Sequence, residues 1–209
     1  AYECSPLTAT FAPRGNRPEG SPLPARLGDP SPLKHAIYII RENRTYDQVL
    51  GDLPEGNGDP RLCLFPEAIT PNAHALAREF VLLDNLYADG EVSADGHEWT
   101  MGAYATDFVE RHWPLSYGHG ANKKYDYPAE GRFPVAYPAN GYLWNRAAEA
   151  GVSYRSYGEF CSTPKQGPEL AAPSLPILVG HIDPLYRAWD LDYPDVKRAE
   201  RFISELHRF

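Results

Sequence analysis

The sequence predicts an α/β protein: a mainly parallel sheet with helices on both faces, and an incomplete one. Three observations predict it. Short apolar and β-branched runs alternate along the chain with segments whose apolar residues recur at i, i+3 and i+4. The order strand, helix, strand, helix, strand, helix is that of units whose crossovers make neighbouring strands parallel. Only three or four strands can be counted, and the last helix is still running at Phe209, so part of the fold is expected to be missing.

Residues 1–33 are rich in Pro, Gly and Arg and lack periodicity, which marks a linker or wrapping segment ahead of a domain over 34–209. The run Ile37, Tyr38, Ile39, Ile40 places the first strand at His35 to Arg41. A helix follows over Thr70 to Phe80, with Ala73, Leu76, Ala77 and Phe80 on one face. "FVLLDNLY" reads as a second strand, Phe80 to Tyr87. Met101, Tyr104, Ala105 and Phe108 then fall at helical spacing in a helix beginning near Asp95 or Gly96. The chain from Pro114 to Ala139 is loop-like, a third helix spans Gly141 to Ala150, and a strand spans Val152 to Tyr157. A Pro-rich loop leads to a final helix with Val196, Ala199, Phe202 or Ile203, and Leu206 on one face.

Composition narrows the function classes. Of 209 residues, 43% are hydrophobic and 23% charged, the range of ordinary globular domains. A net charge of −8 argues against a nucleic-acid backbone or anionic membrane as main partner. No apolar run approaches the ~18 residues of a membrane span, and the first residues show no signal-peptide pattern. Cys4, Cys63 and Cys161 are too widely spaced for a zinc knuckle or a disulfide framework.

The first strand runs straight into Arg41-Glu42-Asn43-Arg44-Thr45. In open α/β sheets ligands bind beyond the carboxyl ends of strands, and the Glu42 and Asn43 side chains offer oxygen donors suited to a divalent cation. The same residues also suit a charged turn, with Glu42 paired to Arg41 or Arg44 and Asn43 or Thr45 capping a short helix. Ser93 follows the second strand and precedes a helix, where unpaired N–H groups and the positive dipole end favour phosphate. A hydroxyl there is poised to attack phosphorus, whereas Asp95-x-x-Glu98 equally fits a capping box that leaves Ser93 a plain loop residue. Glu42, Asn43 and Ser93 could converge on one metal, with Gly96 letting substrate or backbone approach. Lys123 could reach a substrate phosphate. His181 and Asp183 are the close His/Asp couple of a late loop, suited to facing the active site or, more often, to ordering the loop.

"KHAIYIIRENRTYDQVLGDL" and "LLDNLYADGEVSADGHEWTMGAYATDFVE" together resemble the phosphoesterase family of bacterial acid phosphatases and phospholipases C, within the alkaline phosphatase superfamily. "NGYLWNRAAEAGVSYRSYGEF" resembles the helix and strand that follow in it. The resemblance covers roughly residues 30 to 209, is nearest to the exported branch that carries an N-terminal β-propeller, and implies an alkaline phosphatase-like fold. It implies metal ligands at Glu42 and Asn43, a serine nucleophile and metal ligand at Ser93, zinc or manganese as cofactor, a small phosphoester substrate, and a secreted or periplasmic location. The family's further ligands, an Asp-His pair, an Asp-Asp pair and a later His, have no counterpart here, so the chain resembles the N-terminal half of the enzyme. A non-catalytic exported binding domain is the alternative, and a sulfatase or phosphonate hydrolase of the same superfamily is a third.

Overall fold

A computed structural model describes residues 29–117, 125–164 and 170–206. They fall into two compact units, divided between Asp84 and Asn85. The expected parallel sheet is not found. Among the described residues the sheet structure is one antiparallel pair, β1 (Cys161–Ser162) and β2 (Ala172–Pro173), with Cys161 opposite Pro173. The run from His35 to Arg41 forms no strand, and Ile39 is 68% exposed. Neither does "FVLLDNLY", in which Leu86 is 75% exposed. The strand expected at Val152 to Tyr157 is reduced to a single parallel bridge, Ser156 to Ile182. An apolar run becomes a parallel strand only when partners bond its edges and cover both its faces. These runs have no such cover, so the alkaline phosphatase-like architecture does not hold for this chain.

The first unit is small and held by polar anchors. Thr45 is the N-cap of α1 (Tyr46–Leu50), its N–H donating to the Gln48 side chain at 3.1 Å, so the capping reading applies to it. A 3₁₀ turn at Pro60–Leu62 leads to α2 (Pro71–Glu79), opened by proline at its first position. The face of α2 expected to be apolar is not the buried one: Leu76 is exposed, and His74 is fully buried. Nε2 of His74 lies 2.8 Å from Asp52 Oδ1 and Nδ1 lies 2.9 Å from the Thr70 carbonyl, which ties the loop after α1 to α2. Asp52 also accepts the Glu67 N–H, and its carboxyl is held down at about 2, chiefly by the bond to His74. Cys63 in this unit and Cys161 in the other are free thiols.

The second unit carries more of the helix. α3 (Ser93–Gly102) and α4 (Asp107–Tyr117) occupy the stretch read as one helix. They are separated where Ala103 takes a left-handed conformation at φ 64°. α4 continues past Pro114, where a loop was expected. Ala94, Val109, Ala129 and Ala136 form a buried cluster with Phe108, Trp113 and Phe133 against it. α5 (Leu143–Glu149) matches the expected third helix and brings Tyr142 and Trp144 against Phe160, with ring centroids 4.9 and 5.2 Å apart. α6 (Asp195–Leu206) closes the described chain. No helix among the described residues is long and apolar enough to cross a membrane.

Candidate active site

Ser93 is the first residue of α3, so the helix begins two residues before the expected Asp95. Asp95, 1% exposed, sits in the first turn and accepts the N–H groups of Glu91, Val92 and Gly96 at 2.9 to 3.0 Å. It therefore supplies the anion that the dipole end favours. Glu98 is not its capping partner. Tyr117 lies at the end of α4, and the neighbouring Ser93 side chain, Ala94 backbone and Tyr127 act to lower the pKa of its phenol. Burial raises the Tyr117 pKa.

His97 lies one turn beyond Ser93, a spacing that puts both on one helix face about 5–6 Å apart at Cβ. Its Nδ1 is 2.8 Å from Glu159 Oε1, and its Nε2 is 3.9 Å from Glu130 Oε1. The Tyr127 hydroxyl donates to Glu130 Oε1 at 3.5 Å. The next residue, Glu98, has no exposed surface. Its Oε1 accepts the Tyr142 hydroxyl and the Glu130 N–H, both at 3.1 Å, and its Oε2 has no partner. Burial pushes its carboxyl up to about 7; the two bonds oppose that, and neighbouring Glu130 and Glu159 add to it.

The other expected site residues are distributed differently. Glu42 and Asn43 lie on an exposed segment of the first unit, and Asn43 O accepts a bond from Arg44 at 2.8 Å. Ser93 belongs to the second unit, and the strands expected ahead of the two sites are not found among the described residues. Two donors fall short of the roughly three protein ligands of a catalytic metal. Among the described residues no group of three or more His, Cys, Asp or Glu could hold an ion. The residues described do not by themselves fit the implied metal centre. At Gly96 the close approach is internal: a methyl on Gly90 would lie 2.6 Å from the Gly96 nitrogen, while one on Gly96 would meet nothing within 4 Å. Lys123 lies outside the described residues. His181 and Asp183 order loops: the His181 ring stacks on Tyr154, and buried Asp183 accepts two bonds from Arg201.

Glu130, Glu159 and Tyr142 were not anticipated. They come from loops and a helix start 32 to 62 residues from their partners, a separation over which no local spacing signals a cluster. Comparison of the chain with protein-family models, curated proteins and solved structures found no match.

Proposed function

We propose that this chain takes part in hydrolysis of a phosphoester, with Ser93 as the nucleophile. The observation that supports it is the place of Ser93 as the first residue of a ten-residue helix. That position suits a phosphoryl oxygen, because backbone N–H groups and the helix dipole both favour negative charge there. The opening motif "RENRTYDQ" points to the same chemistry through the resemblance given above. Ser93 Oγ attacks phosphorus in line and the alcohol leaves. Water then releases phosphate from the phosphoseryl group.

A non-catalytic ligand-binding domain is the second reading, favoured by the Asp95 carboxylate already engaging the helix head. Turnover separates the two. The full-length protein is expected to hydrolyse p-nitrophenyl phosphate, assayed with and without added Zn²⁺ or Mn²⁺. Ser93→Ala should lower kcat about a thousandfold or more, as removing a nucleophile does. Turnover that is equal in Ser93→Ala contradicts the serine, and none under either condition favours the binding domain.

A further inference from the structure

We propose that His74 is a pH-sensitive clasp of the first unit: charged, it joins the loop after α1 to the head of α2, and on losing a proton it lets the turn at 65–70 loosen. The ring has no exposed surface. Both of its nitrogens face groups that only accept: Nε2 the Asp52 carboxylate at 2.8 Å, and Nδ1 the Thr70 carbonyl at 2.9 Å. The Thr70 hydroxyl, 3.1 Å from Nδ1, donates its one proton to the Phe65 carbonyl at 2.8 Å. Among the described residues no donor is thus directed at the ring. Its bonds are complete only when both nitrogens carry a proton.

The charges around the ring act in the same sense. Asp52, held at about 2 chiefly by its bond to His74, is ionised throughout the neutral range. Glu67 adds negative charge from the segment before α2; Arg78 of α2 bonds it at 2.6 and 2.9 Å and lies 3.3 Å from Glu55. The Cys63 thiol, 3.4 Å from Asp52 Oδ1, is pushed up by burial and by that carboxylate, so it stays protonated while the ring titrates. Burial of the ring opposes its charge, but the bonds to Asp52 and Thr70 and the charges of Asp52 and Glu67 outweigh it, and the pKa is raised. The clasp is therefore complete below the ordinary 6.5 and is lost as pH rises through the raised value. A neutral ring keeps one N–H. With that proton on Nε2 the bond to Asp52 survives, and the bare Nδ1 faces the Thr70 carbonyl. The Thr70 hydroxyl can answer only by turning its proton away from Phe65. What loosens is the turn that runs into α2.

The test is ¹H–¹⁵N NMR of the uniformly ¹⁵N-labelled full-length protein, titrated from pH 5 to pH 9 and read at the His74 ring and at the backbone amides of the turn. At pH 6 His74 should show both ring N–H protons. The Nδ1 proton should be lost with a midpoint above 6.5, and the amides of Phe65 and Thr70 should shift at that same midpoint. Asp52→Asn keeps an acceptor but removes the charge, so it should lower the midpoint. The wild-type titration decides the matter on its own if that variant misfolds. A single ring proton at pH 6, or a midpoint below 6.5, overturns the charged clasp. Both ring protons without any movement of the 65–70 amides at the midpoint overturn the switch. An unchanged midpoint in folded Asp52→Asn overturns Asp52 as the group that holds the charge.

Discussion

Glu98 is a carboxylic acid with no exposed surface, one oxygen bonded twice and the other without a partner. Its folded value of about 7 lies above the ordinary 4.5, so between those values the folded state holds a proton that the unfolded state has lost. Stability therefore falls as pH rises across that window, by roughly 3 kcal/mol in all. Urea unfolding of wild type at pH 5 and pH 8 should show the fall, and Glu98→Gln should flatten it. An unchanged slope in the variant would place the pH dependence elsewhere. Gly96 makes a second residue-scale case. Open space around its missing Cβ means that Gly96→Ala should stabilise α3 by about 1 kcal/mol, the ordinary cost of glycine inside a helix. A rise in KM in that variant, with kcat unchanged, would instead restore Gly96 as a point of substrate approach. The sequence marks this glycine, but not that the close neighbour is Gly90 from the preceding loop.

At the scale of elements, α6 shows what periodicity does and does not say. The 3.6-residue repeat finds the helix, as it finds α2 and α5. Its apolar stripe is nevertheless the outward one: Val196, Ile203 and Leu206 are exposed, while Arg198, Arg201 and Phe202 are half-buried and Glu205 is buried. α6 is anchored through charge. Arg201 reaches Asp183 at 2.6 and 2.8 Å and Glu205 at 3.0 Å, and Arg155 reaches Glu205 at 2.7 Å. Asp183→Asn should destabilise the second unit by about 3 kcal/mol, because it leaves Arg201 half-compensated beside a fully buried group. The fall is read from the urea midpoint by far-UV circular dichroism. A loss under 0.5 kcal/mol, the ordinary ~0.5 kcal/mol scale of a surface change, would mean that the apolar contacts of Phe202 carry the helix. The break between α3 and α4 was illegible for a related reason. Met101 to Phe108 keep helical spacing through Ala103, whose left-handed turn depends on what packs around it.

For the whole molecule, local signals were legible and long-range ones were not. Proline at the first position of α2 and the polar residues ahead of α1 mark helix starts within a few residues, and capping operates over that distance. A strand is different, because "IYII" becomes one only through partners elsewhere in the chain. The described residues leave Ile37, Tyr38 and Ile39 more than half exposed. The candidate site divides in the same way. Ser93 at a helix head could be read from the sequence, whereas Glu130 and Glu159 reach His97 only by tertiary folding. The proposed reaction passes through a bond between Ser93 and phosphorus. Acid quenching of the full-length protein during turnover of a ³²P-labelled phosphoester, followed by peptide mapping, tests it most directly. Label on the peptide containing Ser93, absent in Ser93→Ala, is the predicted result. Label on another residue, or turnover that leaves no labelled protein, would contradict it.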